Sequence, residues 1–341
     1  MKVGLVGAGL QGKRRARALM GDGRNSLVVV ADVDEEATNL LALEAGCSAT
    51  TRWEVVVQRR DVEAVLVCTP PHLHAPISIA AMRKGKHVLC EKPLARSVAE
   101  AQEMVRTAQE CSVILKCGLN HRHHPSLQKA RAWLEQGVIG DMDFVRCRYG
   151  IGGRPGYEKE WRAQPEISGG GQLMDQGIHA LDLFRWFLGD FAEVTGVLAT
   201  RFWPISPLED NVFALLRTAR GQVASLHASW TQWKPLFSLE LFGHDGYVVV
   251  EGLGGAYGTE RAALGRRAFG EPFREEVVEF RGEDRSWQDE WAEFIAAIQE
   301  DREPLGNGKD GLEAVRLAFA VYESARKGCA VRLGREGAAT S

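Results

Sequence analysis

Residues 2–20 read KVGLVGAGLQGKRRARALM, and the order of residue types in this stretch decides the fold of the first half of the chain. A short apolar run at 2–6 breaks into Gly7-Ala8-Gly9-Leu10-Gln11-Gly12, and the residues behind it have helical character. Strand, glycine loop and helix in that order form a phosphate cradle. Gly7 permits the tight turn, Gly9 lets the backbone approach a pyrophosphate, and Gly12 lets the helix pack close to the strand. The phosphates then rest on the helix N-terminus, beside Leu10 and Gln11. A lone G-x-G-x-x-G carries little weight. Working outward, however, a second apolar run at 27–32 (LVVVAD) ends in Asp32, twenty residues beyond Gly12, where a carboxylate bonds the adenosine ribose hydroxyls. Together these features outweigh a glycine-rich turn in an unrelated protein. Asp34, Glu35 and Glu36 follow, so a 2'-phosphate would meet carboxylates, and NAD is expected in preference to NADP.

The alternation continues with helices over 35–45, 53–60, 73–84 and 97–110 and strands over 63–68, 86–90 and 113–118. Near-continuous apolar strands between helices imply a parallel sheet covered on both faces. Ligands of such sheets bind beyond the carboxyl ends of the strands, where Thr69-Pro70-Pro71 and Glu91-Lys92-Pro93 fall. After about residue 120 the texture changes to strands separated by hairpin signals, at 142–150, 191–202, 209–218, 222–232, 236–243 and 247–251, with no regular helix between them. Arg220-Gly221 and Asp245-Gly246 read as tight turns. Two helices, 287–299 and 312–327, close the chain, and the terminal GREGAATS reads as loose. The fold class is α/β, an N-terminal doubly wound Rossmann domain over 1–120, with a C-terminal α+β domain over 121–341 built on a large, mostly antiparallel open sheet.

With 341 residues, 45% hydrophobic and 26% charged, the chain can bury more than one core. A formal net charge of -3 provides no broad electrostatic attraction to nucleic acid or anionic membrane. No apolar run approaches the length of a spanning helix and no targeting segment opens the chain, so a cytoplasmic protein is expected. The seven cysteines include no C-x-x-C pair and read as reduced core residues.

A second stretch, GGGQLMDQGIHALD at 169–182, turns a glycine-loosened loop into a helix. Asp175 and His179 are four apart and Asp182 three further on, which on an α-helix places them along one face. In isolation such a trio reads as a solvated face. Its context changes that reading.

GAGLQG at 7–12, TPPHLH at 69–74, GKHVLCEKP at 85–93, LNHRHHP at 119–125 and GGGQLMDQGIHALD resemble the glucose-fructose oxidoreductase, inositol dehydrogenase and rhizopine-catabolism family, written Gfo/Idh/MocA. The resemblance covers nearly the whole chain. It implies Lys92, Asp175 and His179 as the catalytic set, and Thr69, Pro70, His72, His74, Glu91 and Lys92 as cofactor contacts alongside the glycine loop and Asp32. It also implies a carbohydrate substrate and a homodimer or homotetramer. His72, where many relatives carry asparagine, and the cluster His121, His123 and His124 depart from the pattern. No cysteine or clustered carboxylate lies near that cluster and hydride transfer needs no metal, so no metal is assigned.

Oxidising a secondary alcohol requires removing the hydroxyl proton while hydride leaves the same carbon. An imidazole suits the proton role, which falls to His179. Lys92 would stabilise alkoxide character, Asp175 would orient substrate or lysine, and Asp182 could fix the imidazole tautomer. Two other readings stay open, a glycoside hydrolase that oxidises its substrate transiently with NAD and a dinucleotide-binding sensor. Between crossover and helix lies RCRYGIGGRPGYEKEWRAQPEISGGG from Arg146, rich in arginine and aromatic residues. A long excursion of this kind forms a wall of the site, with Tyr157, Trp161 and Arg162, together with Arg122 and His123 upstream, as substrate contacts. Arginine forks suit phosphate or carboxylate, so an anionic sugar is expected. Pairing of the arginines with Glu158, Glu160 and Glu166 is the competing reading.

Overall fold

The computed structural model describes residues 1–334, which divide into two compact units. The first comprises Met1–Asn120, Glu166–Gly169 and Ser286–Val315, and the second His121–Pro165, Gly170–Arg285 and the chain from Arg316 onward. The expectation for the terminal GREGAATS lies, from residue 335, outside the described residues.

The first unit carries β1 Lys2–Val6, β2 Ser26–Ala31, β3 Ser48–Thr50, β4 Ala64–Val67, β5 His87–Cys90 and β6 Leu115–Cys117, all parallel, in the order β3-β2-β1-β4-β5-β6. Helices α1 Leu10–Asp22, α2 Glu35–Ala45, α3 Trp53–Gln58, α4 His74–Met82 and α5 Val98–Glu110 make the crossovers. Val3, Leu5 and the whole of β4 are sealed from solvent because helices cover both faces, which is why these strands are apolar without alternation. The strand order reverses between β1 and β4, the point at which ligands of doubly wound sheets bind.

The second unit contains a nine-stranded sheet of β7 Met142–Gly150, β8 Phe191–Ala199, β9 Asn211–Thr218, β10 Val223–Ser229, β11 Leu236–Gly243, β12 Gly246–Glu251, β13 Glu260–Arg266, β14 Glu275–Phe280 and β15 Val331–Arg332. Their order is β14-β13-β12-β11-β7-β10-β9-β8-β15, antiparallel throughout except for the β7–β10 pair. β9 shows why one face is core and the other open, with Val212, Ala214 and Leu216 buried and Phe213, Leu215 and Arg217 exposed. The remaining helices are α6 Pro125–Glu135, the single turn α7 Pro165–Ser168, α8 Ile178–Leu188, α9 Ser286–Gln299 and α10 Gly308–Lys327.

Four features differ from the sequence expectation. α9 belongs to the first unit, not the C-terminal one, because its apolar face packs on α1 and adds Trp291, Phe294 and Ile295 to the core of Val3, Leu5 and Leu19. α6 reads as a break because it opens on Pro125, yet a proline in the first turn lacks only an N–H that would have had no helical partner. β14, EEVVEF, lies beyond 247–251, the last strand expected from the sequence. The β11–β12 hairpin turns on His244-Asp245, with Gly243 opposite Gly246, one residue earlier than Asp245-Gly246.

Candidate active site

The glycine loop of the first unit has the shape its sequence requires. Gly7 adopts φ +105°, where a Cβ would run into the backbone of Cys68 and Thr69, and a Cβ on Gly12 would overlap the Gly7 carbonyl oxygen. Gly9 differs, since no protein atom lies within 4 Å of its Cβ position, so its bareness serves something other than internal packing. α1 starts beside it without a side-chain cap, leaving first-turn N–H groups to an anion. Leu10 is exposed at that turn and Gln11 follows it. Asp32 Oδ2 accepts from Ala8 N at 2.6 Å and Oδ1 from Asp34 N at 3.0 Å, which ties the carboxylate to the loop. Asp34 itself caps α2 by accepting from Ala37 N at 3.0 Å. An uncapped helix behind a bare glycine, with an anchored acid beside it, fits a dinucleotide.

The turns after β4 and β5 carry the other candidates of this unit. Thr69, Pro70, His72 and Lys92 are half-buried there, and burial together with Arg96 pulls the His72 imidazole below its ordinary pKa. His74 does not face a ligand. It is fully buried, with Nδ1 2.8 Å from Pro93 O and Nε2 2.8 Å from Thr69 O, so it clasps the two turns together. Burial lowers its pKa while the two carbonyl acceptors oppose that. Glu91 is likewise a buried strut, accepting from Arg15 Nε at 2.7 Å and from Lys92 N at 3.3 Å. Arg15 also bonds Glu290 of α9, and Lys116 Nζ stands 3.6 Å from the same carboxylate. Burial alone would lower the Arg15 pKa, but Glu290 and Glu91 drive it well above its ordinary value.

In the second unit the predicted regular helix is interrupted. Leu173–Gly177 form a π-helical turn that runs into α8, so a spacing of four no longer equals one α-helical turn at Asp175, and the simple stack on His179 is lost. The glycines before it are dictated by packing, since a Cβ on Gly170 would strike Tyr322 and one on Gly171 would strike the Glu209 backbone. Glu209 is a residue that sequence reasoning missed. Buried between strands, it accepts from Gly171 N at 3.2 Å, Leu173 N at 2.9 Å and the Tyr322 hydroxyl at 2.9 Å, and so caps the turn that carries Asp175. Burial raises its pKa against the opposing pull of those donors. The only sign in the sequence is an acid next to an apolar strand.

Asp175 keeps 22% side-chain exposure, with Arg162 Nε 3.9 Å from its Oδ1. Arg162 lies over the Trp161 ring, 4.3 Å from its centroid, and its Nη1 is 3.4 Å from Glu160. Arg154 forks onto Glu160 with two 2.7 Å bonds. Trp161 and Arg162 therefore gather with Asp175. Tyr157 does not line a wall. It is 1% exposed, packed on Trp230 at 4.5 Å in a cluster with Trp203, Ile205 and Leu208, and burial pushes its phenol well up.

His179, 5% exposed, stacks on His121 with centroids 3.7 Å apart and planes at 15°. Arg122 is not available as a substrate contact, because at 3% exposure its Nε and Nη2 bond Asp182 at 2.9 and 2.6 Å. The same pair engages Asp182, which the sequence had associated with the His179 tautomer. His123 is buried at 7% exposure on the 3-10 turn Asn120–His123, and His124 bonds Glu260 at 3.1 Å. Among the described residues no group of three or more His, Cys, Asp or Glu side chains gathers as a metal site.

A doubly wound parallel sheet with this glycine loop and its anchored acid defines a class of dinucleotide-binding proteins. Residues 1–119 match the oxidoreductase family with an NAD-binding Rossmann fold, and residues 127–249 match the GFO/IDH/MocA C-terminal domain. Levoglucosan dehydrogenase of Pseudarthrobacter phenanthrenivorans is 34% identical over 65% of this chain and 59% of its own length. Inositol 2-dehydrogenase of Rhizobium meliloti is 29% identical over 95% and 96%, and 1,5-anhydro-D-fructose reductase of Ensifer adhaerens 30% identical over 84% of each. The structure of a levoglucosan dehydrogenase in complex with NADH and levoglucosan superposes with a TM-score of 0.90 at 26% identity, over 98% of this chain and 100% of that one. The chain belongs to the Gfo/Idh/MocA family of oxidoreductases, and its cofactor is NAD.

Proposed function

We propose that the chain oxidises a secondary hydroxyl of a neutral cyclic polyol or anhydro-sugar, with His179 as general base, Lys92 stabilising alkoxide character and Asp175 orienting the substrate hydroxyl. NAD supplies the hydride acceptor. His179 removes the hydroxyl proton as carbon–hydrogen bonding electrons depart, and the Lys92 ammonium favours the negative oxygen more in the transition state than in the ground state.

One observation carries the choice of a neutral substrate. Arg154 and Arg162 are matched against Glu160 and Asp175, two guanidinium groups against two carboxylates, so the cluster has no net positive charge left for a phosphate. The anionic sugar expected from the arginine count loses its support. Trp161, held by Arg162, supplies an aromatic face suited to a sugar ring. The relatives named for levoglucosan, inositol and 1,5-anhydro-D-fructose point the same way. The test is NADH formation with levoglucosan, inositols and simple aldoses against their phosphorylated counterparts. A phosphorylated or nucleotide-linked sugar turned over with higher kcat/KM than its neutral partner overturns the neutral reading. Cleavage of a glycoside with no net NADH points instead to hydrolysis through transient oxidation.

The assembly belongs to the same reading. Val197 of β8 pairs with Phe213 of β9, both exposed, beside exposed Leu215, while Phe213 stacks on His227 at 4.2 Å. A contiguous apolar face of this kind suits a second copy, in a homodimer or homotetramer. Light scattering of Phe213→Asp with Leu215→Asp, monomeric where the wild type is not, is the expected result. No helix among the described residues is long and apolar enough to cross a membrane, and the seven cysteines are free thiols, which suits the cytoplasm.

A further inference from the structure

The histidine cluster at 121–124 is the sequence feature that the proposed reaction leaves unused. His121 presents its ring face to His179, at 3.7 Å and 15°, and its Nε2 lies 2.9 Å from the Tyr149 hydroxyl. Tyr149 is fully buried on β7, wedged between His121 at 5.4 Å, Phe237 at 5.3 Å and Tyr257 at 5.4 Å. Burial first, then Tyr257, holds its phenol well above the usual pKa, so Tyr149 stays neutral. The Tyr257 hydroxyl accepts from Gln176 Nε2 at 2.8 Å, and Gln176 Oε1 accepts from Gln172 Nε2 at 2.8 Å, both within or next to the π-turn that carries Asp175. The ring under His179 is therefore anchored through two phenols to the turn under Asp175.

We propose that His121 is a positioning residue for the base: a stacked plate that fixes the plane of the His179 imidazole and, by like-charge repulsion, restricts the pair to a single proton. This rests on the reading of His179 as base. Two imidazolium rings at stacking distance repel strongly in a buried site. A proton on His121 therefore opposes a second one on His179, so the stacked ring holds down the proton affinity of the base. A freely rotating imidazole would have to be reoriented in each turnover, whereas a plate removes that freedom before substrate binds. Other titratable groups of this unit near the pair are His124 with Glu260, whose imidazole meets His121 edge-on at 5.6 Å, Asp175 with Arg162, the Arg122–Asp182 pair, and the two tyrosines. The stacked ring, at 3.7 Å, is a direct neighbour of His179.

The test uses the enzyme with NAD bound and compares wild type, His121→Ala, His121→Phe and His121→Gln. One readout is the NMR titration of ring Cε1 resonances of labelled histidine, and the other is kcat and KM against pH. In the wild type the two ring resonances titrate as a coupled pair. In His121→Phe, His179 titrates alone, with its midpoint and the acid limb of kcat/KM both moved upward by about half a pH unit or more. In His121→Ala, kcat falls about tenfold with the KM for NAD unchanged, and the flat ring of His121→Phe recovers part of that loss. If His121→Phe is poorly folded, His121→Gln, which keeps a partner for Tyr149 but no ring, must show the same upward shift. Unmoved ring titration and acid limb in the folded variants overturn the proposal. Near wild-type turnover in His179→Ala refutes the base assignment instead, a separate result from the coupling seen by NMR.

Discussion

Arg15 Nε donates to Glu91 Oε1 at 2.7 Å with both groups almost wholly buried, and the same guanidinium bonds Glu290 of α9. A salt bridge on the surface would count for little; a sealed one whose partner is removed leaves an uncompensated charge. Glu290→Ala, which removes one of the two carboxylates on Arg15 and the carboxylate beside Lys116, is expected to cost about 3–5 kcal/mol in urea unfolding. Glu290→Gln, which keeps the shape, should cost less. A loss below about 1 kcal/mol for the alanine variant would show that the network holds nothing together.

Asp32 is expected to set cofactor choice. Its two oxygens are anchored by Ala8 N and Asp34 N, so the carboxylate stands at the loop where a ribose hydroxyl would bond and a 2'-phosphate would be repelled. Asp32→Ser should narrow the ratio of kcat/KM for NAD over NADP, chiefly by weakening NAD. A wild-type enzyme more efficient with NADP contradicts this.

For the base, His179→Ala is expected to lower kcat by about 10²- to 10⁴-fold while the dissociation constant for NAD, followed by fluorescence, stays close to wild type. The cofactor loop belongs to the other unit, so binding and chemistry should separate cleanly.

Glu260 links stability to pH. Burial pushes its carboxyl up, but the His124 bond and charge, the Gly254 N–H and the Ser126 hydroxyl outweigh it and hold the pKa at about 2, below the ordinary 4.5. A folded-state pKa below the unfolded one means that the stabilisation is present above the unfolded value and lost as pH falls through the folded one. Between about pH 4.5 and 2, wild-type stability should therefore fall towards that of Glu260→Gln, with the gap widest above pH 5. A constant difference in melting temperature across that range would count against it.

The family resemblance pointed to Lys92, Asp175 and His179, whereas the sequence by itself determined the first sheet and the glycine loop with its acid. Each of these depends on local spacing: buried parallel strands are apolar without interruption, and a phosphate loop needs its glycines where backbone meets backbone, as at Gly7 and Gly12. What only the tertiary structure decided depends on partners far away in the chain. α9 joins the first core because its apolar face matches α1 across some 270 residues of intervening sequence, a pairing no window can show. Asp175 leaves the α-helical stripe because Glu209, from a distant strand, caps a π-turn. Arg122 and Tyr157, both plausible substrate contacts in a polar, aromatic stretch, are taken up by Asp182 and by Trp230. Residue type tells which interactions a side chain can make, but the three-dimensional neighbours decide whether that capacity remains for a ligand or is already satisfied within the protein.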